Sequence, residues 1–214
     1  MKQLSGLDSM FLNFETAEAP MHVGGVSVLD LAKAPPGFGF EAVRARISGR
    51  LHLLPSFRRR LVQMPLNLIP AFWIEDPDFR FDRHVQRIKL KRPGSDAQLA
   101  TLVAELVGKP LERDRPLWAF WYVEGLSGRR AACISIIHHA CIDGVSGAEL
   151  LSKLLDLEPD AMVGPGPAAA WDPDEYPLAV DRLMFTARQA WSRNRQFLGL
   201  LRSSLPVADR KSVV

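Results

Sequence analysis

Two histidines stand side by side at His138 and His139, followed by Ala140-Cys141-Ile142 and then Asp143-Gly144. Histidine has an unperturbed pKa near neutrality, so a positioned ring can take a proton from a substrate and return it. The pair ends Ala131 to Ile137, a run with no charged residue, and precedes an amphipathic stretch from Val145. That order describes a buried strand, a turn and a helix, with a base delivered at the strand end. Adjacent strand residues point to opposite faces, so only one of the two rings faces a given cavity. A single-base site therefore fits better than a metal clamp, and no metal is expected. Asp143 can hold the turn by accepting backbone or arginine hydrogen bonds. Gly144 lets the backbone pass close to a substrate or take positive φ. On these residues alone, two satisfied histidines at a structural turn fit equally well. Cys141 is the one rival nucleophile, and its reading as a core or turn residue is the stronger.

The elements that must position this turn are legible on either side of it. Trp118 to Val123 reads as an aromatic strand, and Leu126-Ser127-Gly128 turns it into Ala131–Ile137 as an antiparallel pair. Val23 to Leu29 reads as a strand in which Gly24 and Gly25 mark a close backbone approach. Phe40, Val43, Ile47 and Leu51 recur at helical spacing up to Pro55. Phe57 to Met64 and Phe79 to Leu90 read as strand-rich, with Pro65, Pro70 and Pro77 confining what lies between to loops or short strands. Ser95-Asp96-Ala97-Gln98 matches a capping box. Behind it Leu99, Leu102, Val103, Leu106 and Val107 form an apolar stripe that Gly108 and Pro110 stop. Ala148, Leu151, Leu154 and Leu155 mark a helix packing back on the sheet.

Beyond residue 157 the character changes. Residues 158–177 hold five prolines with Gly164 and Gly166, a composition for an extended connector. In residues 178–214, Leu183, Ala187, Trp191, Leu198 and Leu201 line one face of a long helix whose other face carries arginines. Seven basic and two acidic residues give 181–214 a net +5, which leaves −2 on the rest of a chain of net charge +3. The basicity thus belongs to the tail. With no recognisable binding module, nucleic acid is not an expected partner. The chain of 214 residues is long enough for one good core and part of another, and 47% hydrophobic content suits a globular protein. Cys133 and Cys141 flank the histidines as buried small hydrophobes would in a reducing compartment. The start, Met1-Lys2-Gln3-Leu4-Ser5-Gly6, lacks a signal-peptide core, and no apolar run approaches the roughly 20 residues of a membrane span. The expected location is cytoplasmic.

The spacing His138-His139-xxx-Asp143-Gly144 resembles the HHxxxDG signature of the CoA-dependent acyltransferase superfamily, which includes peptide condensation domains and chloramphenicol acetyltransferase. The residues around it narrow the likeness. Leu4-Ser5-Gly6-Leu7-Asp8-Ser9-Met10-Phe11-Leu12, Met21-His22-Val23-Gly24-Gly25 and Pro110 to Trp118, with its Pro116-Leu117-Trp118 element, resemble the bacterial wax ester synthase/acyl-CoA:diacylglycerol acyltransferase family over residues 1–157. Members of that family are longer, with further motifs in a second half.

The resemblance implies an α/β fold: one half of a chloramphenicol-acetyltransferase-like sandwich, a mixed sheet covered by helices, then the Pro/Gly linker and the long amphipathic helix. Two such halves would face each other across a tunnel, with the histidine midway. His139 would be the general base on the hydroxyl of a diacylglycerol or long-chain alcohol. His138 would support the turn, Asp143 would be structural, and Gly144 would make the turn. The acyl donor would be acyl-CoA, and no cofactor is implied. Pro116, Leu117 and Trp118 support the likeness, though a proline that starts a strand and a tryptophan that fills the core explain them as well. The tail helix suits an anionic membrane or lipid-droplet surface, and better still a C-terminal half, in cis or as a separate chain, against which the fold implied by the resemblance needs it to dock. Positioning and preorganised electrostatics usually supply more rate than a base, so weak or no turnover is expected of this chain alone. Two other readings stand beside this one. One is a condensation-type enzyme using carrier-protein-bound acyl groups. The other is a non-catalytic subunit that binds lipid or a partner.

Overall fold

A computed structural model of the chain describes residues 2–142, 153–154 and 171–208. Asp143, Gly144, the helix expected around Ala148, Leu151 and Leu155, and the greater part of the Pro/Gly connector lie outside the described residues.

Two sheets form the frame. The larger is mixed, with strands β2 (His22–Asp30), β7 (Arg130–His138), β6 (Trp118–Leu126) and β5 (Val85–Lys89) in that spatial order. Only β5 and β6 run parallel. The smaller is antiparallel and joins β1 (Lys2–Gln3), β4 (Phe72–Glu75) and β3 (Arg59–Val62). The aromatic strand and the charge-free strand thus pair as the periodicity predicts.

Strand alternation decides what each face covers. On one face of the large sheet Val123, Leu126, Ala132 and Ile134 pack under helix α3 (Asp96–Val107) through Leu99, with Leu102, Val103 and Leu106 partly buried there. The capping box of α3 forms as expected, with Ser95 Oγ accepting from Gln98 N and Gln98 Oε1 accepting from Ser95 N. Gly24 lies beneath the C-terminal end of α3, where a Cβ would come within 3.2 Å of Val107 Cγ2, so the close approach read from Gly24-Gly25 is real. The opposite face carries Trp118 and Ile137 into the main core. Leu12 of helix α1 (Gly6–Phe14), Ile47 of helix α2 (Phe40–Arg50), Phe57, Leu61, Trp73 and Leu154 complete that core.

Two expectations need correction. The segment from Phe57 is less strand-like than its residues suggest: Pro55–Arg58 is a 3₁₀ turn, which Pro55 starts, and the strand is only Arg59–Val62. Between Phe79 and Leu90 the strand is only Val85–Lys89, after a 3₁₀ turn at Phe81–Arg83. Helix α4 (Ala179–Ala208) forms as the spacing predicts, and it touches the domain through a side other than the apolar stripe. Phe185 meets Phe72 edge-on at 5.2 Å, Thr186 is buried, and Arg182 Nη1 donates to Gln63 O. Leu183 and Trp191 stay 55% and 69% exposed, so this part of the apolar stripe faces outward. The end of the connector is also pinned, because Asp174 exchanges hydrogen bonds with the backbone of Glu75 and Trp171 Nε1 donates to Glu75 Oε2.

Candidate active site

The strand ends gather at one edge of the large sheet. His138 closes β7, His22 opens β2 opposite it, and Trp118 opens β6. Leu117 O accepts from His138 N at 3.0 Å, so the Pro116-Leu117-Trp118 element holds the histidine backbone directly. Trp118 is buried between the rings of Phe57 (4.6 Å) and His84 (4.5 Å), and its Nε1 donates to Phe57 O. It fills the core, as its plain structural reading supposed.

The two histidine rings go to different places. His138 is fully buried and caps the 3₁₀ turn His139–Cys141, with Nδ1 accepting from Ala140 N at 3.0 Å. An Nδ1 that accepts carries no proton, so the neutral ring holds its proton on Nε2. That atom lies 3.4 Å from Glu15 Oε1 but is not aligned for a hydrogen bond. Burial pushes the His138 pKa down to about 4; the Glu15 carboxylate opposes the shift, while Arg113, His22 and His139 add to it. His138 is therefore neutral at pH 7, with one nitrogen committed to the turn. His139 is half-buried and lies flat on Phe11 of α1, ring centroids 4.6 Å apart. Its backbone N donates to Met21 O at 3.0 Å. Of the two rings it alone remains accessible, at a position fixed from both sides.

Beneath them lies a buried charge cluster that sequence reasoning missed. The Glu15 side chain is 4% exposed and follows the last turn of α1. Its Oε2 accepts from Arg113 Nη2 at 2.8 Å and Nε at 3.3 Å, and its Oε1 accepts from Met21 N at 3.3 Å. Arg113 Nη2 also donates to Leu12 O. Both histidines are thereby tied to one carboxylate: His138 through its ring, His139 through the backbone of Met21. The helix that delivers Glu15 and Phe11 had a readable start. Ser5 and Asp8 form a capping box, the pattern recognised at Ser95 but not here. Of the two thiols, Cys141 is buried in the turn, and burial pushes Cys133 up to about 11, which removes any thiolate character near neutrality.

His84, also buried, donates through Nδ1 to Trp118 O at 2.8 Å. Burial pushes its pKa down to about 4 against that bond, with Arg115 and Arg83 adding to the shift. His84 and His138 thus both bind a proton less readily folded than unfolded, where the value is 6.5. The unfolded chain takes up protons first as pH falls. Stability is then complete above about pH 6.5 and declines toward pH 4, by up to about 1.4 kcal/mol per pH unit for each ring. Urea unfolding followed across that window should show the decline, and His84→Gln should make it shallower.

The arrangement of strands and histidine-bearing turn has solved counterparts. A mutant starter condensation domain of rhizomide synthetase aligns with a TM-score of 0.53 over 72% of this chain and 36% of that one. At 12% identity the likeness is one of fold, and it places the chain in the chloramphenicol-acetyltransferase-like α/β class. The wax ester synthase/diacylglycerol acyltransferase from Marinobacter aquaeolei VT8 is nearer, with a TM-score of 0.64 and 28% identity over 78% of this chain and 40% of that one.

Residues 4–211 match the wax ester synthase/diacylglycerol acyltransferase catalytic domain, and the chain belongs to that family. A putative diacylglycerol O-acyltransferase of Mycobacterium tuberculosis H37Rv is 38% identical over 193 residues, 90% of this chain and 40% of the relative. A probable diacylglycerol O-acyltransferase of the same organism is 35% identical over 88% of this chain and 68% of its own length. The chain thus spans well under half the length of the first of these relatives.

Proposed function

We propose that this chain carries the base of an O-acyltransferase that moves a fatty acyl group from acyl-CoA to diacylglycerol or to a long-chain alcohol. One observation carries the reading. Of the two motif histidines, His138 is buried with Nδ1 committed to the turn, whereas His139 is accessible on a fixed backbone. His139 takes the hydroxyl proton as the oxygen attacks the thioester carbonyl. The C–S bond breaks, and the proton passes to the departing CoA thiolate. His138 supports the turn, and Asp143 and Gly144 complete its scaffold in the manner of the family motif. The chemistry needs no cofactor.

A segment equivalent to the remaining length of the mycobacterial relative, in cis or as a separate chain, supplies the opposite wall of the tunnel. Among the described residues no helix is long and apolar enough to cross a membrane. The outward stripe of Val180, Leu183, Met184 and Trp191 on α4 supports a cytoplasmic enzyme working peripherally at the inner membrane or a lipid droplet. Labelled acyl-CoA tests the reading, offered with diacylglycerol or hexadecanol to the chain supplemented with that segment. Labelled triacylglycerol or wax ester is the expected product. Transfer only from a carrier-protein thioester would instead indicate a condensation-type enzyme.

A further inference from the structure

A second basin opens at the same sheet edge, away from the histidine turn. It has a volume of about 590 Å³ and is lined by Arg60, Arg80, Arg83 and Arg115, with His84 among its walls. That size falls within the range of ligand-holding clefts. Three carboxylates share the lining: Asp76, Asp78 and Asp114. They are spent on two of the arginines. Arg115 Nε pairs with Asp114 at 3.0 Å and its Nη2 pairs with Glu112, while Arg60 Nη1 lies 3.4 Å from Asp78 and 3.7 Å from Asp76. Arg60 Nε is buried with no hydrogen-bond partner among the described residues. Arg80 and Arg83 are exposed, and within the described residues neither side chain forms an ion pair or a hydrogen bond. The basin thus holds two guanidinium groups engaged by carboxylates and two, Arg80 and Arg83, left open to phosphate oxygens.

Its position relative to the base gives the cluster meaning. His84 immediately precedes β5, its ring stacks on Trp118 at the start of β6, and His138 ends β7 beside them. His84, in the basin wall, and His138, beside the base, therefore sit at the same end of three neighbouring strands, two strand spacings or about 10 Å apart. In CoA the thioester sulfur and the phosphates are separated by a pantetheine arm long enough to bridge such a gap. We propose that the Arg60, Arg80, Arg83 and Arg115 basin binds the phosphate groups of the CoA portion of the acyl donor. The proposal rests on the acyltransferase reading above and adds where the donor's charged end is held.

Calorimetric titration of the full chain with CoA, pantetheine and inorganic pyrophosphate tests it without turnover. Arg80→Gln/Arg83→Gln is the variant of choice, because both side chains are exposed and unpaired and the fold does not rest on them. CoA should bind about tenfold or more weakly to the variant, in keeping with the loss of charge-assisted hydrogen bonds. Pantetheine, which lacks the phosphates, should bind both proteins alike, and pyrophosphate should compete with CoA only on the unaltered chain. His139→Ala should keep full CoA affinity, which separates failure of this assignment from failure of the acyl-transfer reading. Three results would each overturn the assignment: no CoA binding by the unaltered chain, equal CoA affinity in the double variant, or equal loss of CoA and pantetheine. So would arginine-dependent binding to phosphatidylglycerol vesicles with CoA affinity unchanged, since the basin would then be a membrane contact.

Discussion

Replacing His139 by alanine is expected to lower acyl transfer by about 10²–10⁴-fold, the usual contribution of a positioned general base. The substitution removes a half-buried ring whose mapped contact is the face of Phe11, and leaves its backbone bond to Met21 O available. The fold should therefore survive, and the loss should appear in kcat with urea stability little changed. Replacing His138 is expected to act differently. Its buried Nδ1 accepts from Ala140 N, so His138→Ala orphans a buried amide and opens a cavity under the turn. Its transfer rate should fall less than that of His139→Ala, while its urea midpoint falls more. Labelled acyl-CoA and urea titration on both variants separate base from scaffold. Unchanged turnover in His139→Ala would remove the assignment of the base.

What could be read from sequence divides along a physical line. Local signals survived: the capping box at Ser95 and the antiparallel pairing of the strands that end at Trp118 and His138. The two rings part as expected, though not by strand alternation: the strand ends at His138 and a 3₁₀ turn begins at His139. Signals that depend on distant partners did not survive. Glu15 and Arg113 are 98 positions apart, and nothing in either neighbourhood announces that they meet. Helical periodicity located the stripe of Leu183 and Trp191 on α4, which stays exposed, but it could not name the other side as the one that docks on the domain. That choice is made by Phe72, which receives Phe185. The stack of Phe57, Trp118, His84 and Phe79 escaped for the same reason, since its four rings come from three separate stretches of chain.

The Glu15 cluster carries the second large effect, this time on stability. Glu15→Ala would leave Arg113 without its carboxylate, Met21 N without its acceptor and the His138 Nε2 proton facing an empty site. Breaking a buried ion pair from one side typically costs about 3–5 kcal/mol. Arg113 keeps 33% side-chain exposure, so water recovers part of the loss and the lower end of that range is expected. Glu15→Gln keeps the volume and an oxygen for Met21 N while giving up the charge, and should cost about 1.5–3 kcal/mol. Turnover should fall in Glu15→Ala, because Met21 O also holds the His139 backbone, and fall less in Glu15→Gln. The coupling can be measured directly. If Glu15 and Arg113 act as one unit, Arg113→Met should add little to Glu15→Ala in a double-mutant cycle read by urea unfolding. Full additivity would mean that the carboxylate is held by its backbone bond and that Arg113 is dispensable. The same cycle read by turnover tests whether the cluster also positions the base. A rate that recovers in Glu15→Gln along with stability ties the two together, because the glutamine restores the Met21 contact without restoring the charge.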